Sequence, residues 1–575
     1  MNIFVTYKKK IEDLVTANSK IFNIDSKINF DGAVVEIPPQ EFNFDLSSNI
    51  ALMLGKKTKQ SPIKVANLIK DLFNKSSNDF SEISIAGPGF INFRFDSKTY
   101  QKLILEILQS NNRYGATLKT KKKYNIEFVS ANPTGPMHIG HSRGAIYGDV
   151  IANLLKFNGN SVTKEYYIND YGNQIINFSE SVFFRLREIK FKEKFVNKEN
   201  LYPGEYVLDI AKKILSDVPK IDLSNFEKIL PKLSEMSLKY SMILIKNDLK
   251  SLGITHDNFV SEKSLVDKDL VAKSIVYLKN KKFVEEGYLS QPKGTDSKNW
   301  KKTKRLIFKS TMFGDDTDRA LQKNDGTWTY FANDIAYHSD KVSRNYDHII
   351  NILGADHTGY IKRISAATSA LSNNKISLIC KVCQLVKLFK NGKPYKMSKR
   401  AGDFISVHEF LNEVDKDSIR FMMLNRSNDV ELDFDFDKVL EKTRENPVFY
   451  VQYSYARISS LFRTLNIDEN KVLEINESNF KLNSHELNLF RKILDWPKVI
   501  ETASVKLEPH RIPFYLYELA THFHSYWSKG NEDSSYKFIM DGKIKNPNTL
   551  LIIKLVALTI ENGMKILGVS LPTKM

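Results

Sequence analysis

Two short runs of this chain concentrate side chains suited to phosphate chemistry. In His138-Ile139-Gly140-His141 two imidazoles stand three residues apart, so a helix beginning near Pro136 carries both on one face of its first turn. Free backbone N–H groups and the positive end of the helix dipole already favour an anion there. Gly140 leaves no side chain between the rings, which lets an adenine or ribose approach the backbone closely. Far along the chain, Lys396-Met397-Ser398-Lys399-Arg400 lies in a loop containing Gly and Lys, from Asn391 to Asp403. Ammonium groups on such a loop can follow negative charge as it builds on a phosphoryl group and a departing pyrophosphate, where electrostatic stabilisation is the main contribution open to a protein. Alone, each run has a plain alternative, two surface histidines or an ordinary basic loop. Together and in this order, one at the opening of a sheet and the other after a late strand, they point to nucleotide chemistry.

The elements around them have the pattern such a site needs. Tyr124 to Val129 reads as a buried strand, a loop rich in Asn, Pro and Gly follows, and Gly144 to Leu155 reads as a helix. This strand-loop-helix opening is typical of a nucleotide-binding α/β sheet. His348 to Gly354 and Ile376 to Phe389 read as later strands, with a helical pattern beginning near Gly359 between them. Gly354, Asp356 and His357 follow the first of these strands, where open α/β sheets place ligands, so contact with ATP is expected; a simple strand-to-helix turn is the alternative.

On this reading the fold is α/β and multidomain. Residues 1–115 form an α+β N-terminal domain, the basic stretch Lys119 to Lys123 is a linker, and residues 120–435 form a Rossmann-type catalytic domain with a parallel sheet and an insertion at about 177–327. Residues 436–575 read as an all-α helical bundle, whose clearest start signal is Asn446-Pro447, a cap followed by proline at the first helical position. A chain of 575 residues exceeds a single core. Its excess of 85 Lys+Arg over 67 Asp+Glu gives a net charge of +18, the field expected of a protein that meets polyphosphate, although a generally Lys-rich composition gives the same number.

The first ten residues have no apolar segment of signal length, and the longest apolar stretch, Leu550 to Ile560, is too short to span a bilayer, so a cytoplasmic protein without membrane contact is expected. Cys380 and Cys383 lie three apart in a strand, on opposite faces, and no histidine or second pair completes a metal site, so no built-in metal is expected.

The sequence resembles the class I aminoacyl-tRNA synthetases, whose HIGH and KMSKS signatures stand here as His138 to His141 and Lys396 to Arg400, with Arg400 in place of the final serine. Several further stretches are similar to arginyl-tRNA synthetases: Glu127 to Pro136, Phe313 to Arg319, Tyr330 to His338, Gly354 to His357, Ala86 to Asn92 and Asn446 to Tyr453. The resemblance covers essentially the whole chain. It implies ATP-dependent attachment of L-arginine to tRNA(Arg) through an arginyl-adenylate, with release of AMP and pyrophosphate, and Mg²⁺ arriving with the ATP. His138, His141, Lys396 and Lys399 would be catalytic, and Pro136, Met137, Gly140, Gly354, Asp356, His357, Met397 and Ser398 would contact ATP. Arginine would be bound by Glu127, Asn132, Tyr330, Asp334, Glu262 and Gln174, with Asp170 beside the last of these. The N-terminal domain would meet the tRNA elbow and the C-terminal helices its anticodon, in a protein expected to be a monomer.

The residues agree with this at the pocket. A guanidinium is always charged and needs a carboxylate matched to its fork, and Tyr330 and Asp334, four apart on an expected helix, present a phenol and a carboxylate on one face. In the helix from Val448, the cluster Phe449, Tyr450, Tyr453, Tyr455 and Arg457 wraps most of the circumference, so some members are core and others are open to stacking on bases. Three rival readings remain at this point, the nearest being another class I synthetase, which substrate screening with lysine, glutamate and arginine separates. A nucleotidyltransferase also uses an HxGH loop but leaves the flanking domains unexplained, and a non-catalytic RNA-binding scaffold is opposed by the intact His138, His141, Lys396, Lys399 and Asp334.

Overall fold

The computed structural model describes residues 2–25, 28–117, 121–196, 198–288, 303–395, 405–467 and 480–575. The chain divides into two compact units, Thr120–Leu440 and a second made of Met1–Lys119 together with Glu441–Met575.

The first unit is built on a five-stranded sheet in the spatial order Ser377–Cys383, His348–Gly354, Lys123–Glu127, Ser161–Ile168, Asn258–Ser261. Every neighbouring pair is parallel. The strand order reverses at Lys123–Glu127, the place where open α/β sheets bind ligands beyond the carboxyl ends of their strands. Helices cover the faces. Ile139–Phe157 buries Ala145, Ile146, Val150, Ile151 and Leu154. Tyr330–Ser343 and Ile361–Ser372 pack through small residues, Ala332 and Ala336 on one and Ala366, Ala367 and Ala370 on the other, which brings their backbones close. Three further helices, Asn173–Phe191, Glu205–Asp217 and Phe226–Ser251, form a module with its own core of Phe178, Val182, Leu186, Val207, Ile210 and Leu233.

Two sequence expectations change here. The stretch expected as an insertion contains Asn258–Ser261, which pairs with Ser161–Ile168 and belongs to the main sheet. The run Ile376 to Phe389 is two strands in different sheets: Ser377–Cys383 joins the parallel sheet, whereas Val386–Lys390 pairs with Leu432–Asp435 and Lys393–Pro394. Buried ion clusters hold the unit together. Asp149 accepts from Lys164 and from Arg420, each at 2.5 Å, and those cations hold its carboxyl below the usual range against the cost of burial. Arg143, on the helix of the histidine pair, donates to the carbonyls of Gln384, Val430 and Ser427.

In the second unit a four-stranded antiparallel sheet, Val35–Glu36, Leu46–Ser48, Phe90–Phe95 and Phe80–Ala86, packs with Ile3–Ala17 and Pro62–Ser76. Gly89 turns the hairpin with φ +136, and a Cβ there would stand 2.9 Å from Pro62. Four long helices, Pro447–Leu465, Ser484–Lys506, Arg511–Glu532 and Pro547–Leu567, follow. The Asn446 side chain caps the first, as its position before proline implies. The two end segments are joined by buried polar contacts: Arg491 Nε donates to Asp45 at 2.8 Å, Trp496 Nε1 to the Tyr114 carbonyl at 3.0 Å and the Tyr114 hydroxyl to the Ile493 carbonyl at 2.8 Å. On the Pro447–Leu465 helix, Phe449, Tyr453 and Arg457 form a half-buried ladder, the rings 5.6 Å apart and the guanidinium 4.2 Å from Tyr453. Tyr450 lies against His524 at 4.3 Å, and Tyr455 donates to Glu561.

Candidate active site

The loop leaving the first strand is bent sharply at once. Val129 and Ser130 both have positive φ, 71° and 42°. For a β-branched residue that is a strained conformation, and it is held by what Ser130 does: its Oγ donates to Glu127 at 3.0 Å and accepts from the Tyr167 amide at 3.1 Å.

At the end of this loop the helix starts at Ile139, later than expected, and His138 is its cap. The His138 ring accepts the Gly140 amide at 3.1 Å, and the His141 ring accepts the His138 amide at 3.3 Å. The two rings lie 3.8 Å apart. The Ile139 amide goes to the Ile405 carbonyl, the His141 amide to the His138 carbonyl and the Met137 amide to Asp248 on the helix Phe226–Ser251, all at 2.9 Å. Five successive amides, from Met137 to His141, are therefore committed within the protein. The expectation that free backbone N–H groups receive an anion here gives way to another device. Both rings use Nδ1 as an acceptor, so in the neutral form each carries its proton on Nε2. Burial lowers the pKa of His138, and burial with His138 nearby takes His141 to about 3. The pair is a set of neutral N–H donors. A Cβ on Gly140 would meet His138 Nδ1 at 2.9 Å, so this glycine makes room for the capping ring itself.

Across the sheet edge, Gly354 begins a short 3₁₀ turn, and a Cβ on it would stand 2.6 Å from Asp356. Asp356 and His357 are exposed and 3.4 Å apart, and the Asp356 charge is felt at His141. Met137 is fully buried. Lys396, Met397, Ser398 and Lys399 lie outside the described residues. Their flanks are fixed: the Tyr395 amide donates to the Leu388 carbonyl, while Ile405 and Val407 bond the backbone of Ile139 and Met137.

The carboxyl ends of two strands and the helix Tyr330–Ser343 bring carboxylates together. Glu127 ends the first strand, Glu262 follows Asn258–Ser261, and Asp334 projects from the helix. Lys341, fully buried, donates to Glu127 at 2.5 Å and to Asn351 at 3.0 Å. The other two carboxylates have neutral donors. Glu262 receives Asn333 at 3.0 Å and the Tyr167 phenol, and Asp334 receives the Tyr360 phenol. Burial raises the pKa of Glu262. Burial takes Asp334 to about 7 against the Tyr360 hydrogen bond, with Glu127 and Glu262 pushing the same way as burial, and Arg363 offsets only part of this. Tyr167 packs against Tyr337 with ring centres 4.4 Å apart, and its pKa is raised by burial and then by the same three carboxylates. Such a pocket favours a bound cation over the empty state, and the planar, always-charged guanidinium suits several carboxylates at once.

Other expected residues are arranged differently. Tyr330 opens its helix on the side of Asp334 but is 81% exposed, and the phenol bonded to Asp334 is that of Tyr360. Asn132 is exposed and accepts from Asn169 at 3.1 Å, and Gln174 donates to the Asn169 carbonyl at 3.1 Å, so these two meet through Asn169. Asp170 accepts from Ser261 and from the Lys263 amide, which fixes the turn that carries Glu262. Tyr167, Tyr360, Lys341 and Asp248 were missed. Tyr167 lies three residues before Asp170, which the resemblance places at the arginine site, whereas the others carry no local signal.

Three family models match the chain: the arginyl tRNA synthetase N terminal domain over residues 7–95, the class I (R) tRNA synthetase catalytic domain over 103–202 and 295–462, and the DALR anticodon binding domain over 451–575. The arginine--tRNA ligase of Pelagibacter ubique (strain HTCC1062) is 52% identical over 577 residues, and that of Ehrlichia ruminantium (strain Welgevonden) 42% over 584, each alignment covering 100% of both chains. Among solved structures, a putative arginyl-tRNA synthetase from Campylobacter jejuni superposes with a TM-score of 0.73 at 32% identity, covering 84% of this chain and 100% of that one. The arginyl-tRNA synthetase of Thermus thermophilus, at 19% identity, shares the fold with a TM-score of 0.68 over 99% of this chain and 100% of that one. Similarity that runs from one end to the other, through all three matched regions, means that this chain belongs to the arginyl-tRNA synthetase family of class I.

Proposed function

We propose that the carboxylate pocket holds the guanidinium of arginine and that the histidine pair holds the phosphates of ATP, so that the chain attaches arginine to tRNA in translation. The arginine carboxylate attacks the α-phosphorus of ATP and displaces pyrophosphate, giving arginyl-adenylate. A ribose hydroxyl of the terminal adenosine of tRNA(Arg) then attacks the activated carbonyl, and AMP leaves. The observation that carries the reading is Asp334, a carboxylate raised to about 7 among Glu127 and Glu262, which have Lys341 as their one close cationic partner among the described residues. Asp334 and Glu262 take the guanidinium with Tyr330 at the mouth, and Glu127, Asn132 and Gln174 lie toward the amino-acid backbone.

The neutral Nε2–H groups of His138 and His141 stabilise charge that grows on the phosphates and need no proton transfer to do so. Pro136, Met137, Gly140, Gly354, Asp356 and His357 line the ATP side. Lys396, Met397, Ser398 and Lys399 join them by resemblance. Mg²⁺ accompanies the ATP. A site of buried polar groups rejects an amino acid that leaves them unpaired, by roughly 10⁴-fold or more.

The N-terminal segment serves the tRNA elbow and the helical segment the anticodon, with the ladder Phe449, Tyr453 and Arg457 offering stacking surface. A monomer working in the cytoplasm is the assembly we propose. No helix among the described residues is long and apolar enough to cross a membrane. The test is charging of total tRNA with each amino acid in turn. Arginine alone being attached supports the reading, and charging with another amino acid, or with none, overturns it.

A further inference from the structure

The helical module that precedes Asn258–Ser261 reaches the loop before the histidines through two side chains, Tyr206, whose hydroxyl donates to the Thr134 carbonyl at 3.0 Å, and Asp248. Asp248, half-buried near the end of Phe226–Ser251, accepts the Met137 amide at 2.9 Å through Oδ2. It lies within residues 203–294, which the matched catalytic model passes over. The other side of the same residue is also fixed, because the Met137 carbonyl accepts the Val407 amide at 2.9 Å. Of the five amides committed from Met137 to His141, the remaining four go to the histidines themselves or to the backbone of Ile405. The Met137 amide alone depends on a side chain from the helical module.

We propose that Asp248 is a positioning residue for the activation step: by holding the Met137 amide it fixes the main chain from which His138 and His141 project. The argument is geometric. Transition-state donors must be in place before charge develops, and the His138 ring is attached one residue beyond the bond that Asp248 makes. Without that acceptor the Met137 N–H is left unpaired in a largely buried position and the loop turns to satisfy it elsewhere, carrying both rings with it. Burial raises the Asp248 carboxyl to about 6, so it is ionised at pH 7.5 and its bond to the amide is charge-assisted.

This inference rests on the proposed role of the histidine pair, and the variants separate the two. Asp248→Leu and Asp248→Asn both keep the branch at Cγ, and only Asn still offers an oxygen to the amide. Each is compared with wild type in arginine-dependent pyrophosphate exchange with tRNA present. Asp248→Leu is expected to lower kcat by about 10- to 100-fold, with the KM for arginine and the thermal midpoint unchanged, and Asp248→Asn to restore most of the rate. Should the Leu protein fail to fold, Asp248→Ala against Asp248→Asn makes the same comparison. Equal rates in the acceptor and non-acceptor variants, whether both normal or both impaired, overturn the positioning role. His138→Ala marks the other boundary: its normal exchange overturns the reading of the histidines, whereas an inactive His138→Ala beside a normal Asp248→Leu overturns the role of Asp248 alone.

Discussion

Two groups of buried acids in the same unit show how differently one residue type can be used. Asp149 lies between Lys164 and Arg420, and Glu165 takes the Arg344 guanidinium and the Tyr337 phenol, so that cations and donors hold Asp149 below its usual range and Glu165 at about 2. In these clusters the charges are matched within the chain. The pocket of Asp334, Glu262 and Glu127 has the opposite character, with phenols, an amide, Lys341 and the partial offset from Arg363 set against three carboxylates and with Asp334 still raised to about 7. Matched charge supports the fold. Charge left short of cations inside a cleft is stability given up at the place where the substrate supplies the missing partner.

The comparison breaks most visibly at Asp334. Asp334→Ala is expected to lower kcat/KM for arginine by about 10³-fold or more, the scale of removing one member of a buried charge pair, measured as aminoacylation with the protein still folded. Asp149→Asn should do the reverse: about 3–5 kcal/mol of stability is lost because Lys164 and Arg420 remain buried without their partner. This is read by denaturant unfolding, with the KM for arginine near that of wild type.

A subtler consequence is that Asp334→Asn should stabilise the protein without substrate. The sign follows from the protons: between about pH 4, where the unfolded carboxyl titrates, and pH 7, where Asp334 titrates in the fold, the native state binds more protons. Stability therefore falls as pH rises through that window, and the penalty is full above it. The variant is expected to gain about 1–3 kcal/mol at pH 8 and nothing near pH 4, as thermal melts across pH will show. Glu262→Gln is the mildest change, since the amide keeps its hydrogen bonds; about a 10-fold loss in kcat/KM for arginine is expected, with the KM for ATP unchanged.

Much of this architecture is legible in the residues because the signals are local. The strand His348–Gly354 and the helix after Asn446-Pro447 follow from a run of apolar residues and a cap with proline. The four residues Asn258–Ser261 were not legible, because a short edge strand paired on one side carries too little pattern within a Lys- and Leu-rich stretch. In the site, Asp334 and the two histidines could be found from their motifs. That His138 caps its helix, and that Tyr360 rather than Tyr330 bonds Asp334, depends on how separate elements meet. Lys341 is another such case: its partner Glu127 is 214 residues away in the chain, and spacing carries no trace of the pair.

The most direct test of the account is calorimetry of arginine binding at pH 7 in buffers of different ionisation enthalpy. If Asp334 holds a proton that the guanidinium displaces, about half a proton is released per arginine bound at a pH equal to its pKa, and Asp334→Asn releases none. Binding with no proton release in the wild type would contradict the claim that this pocket is short of cations.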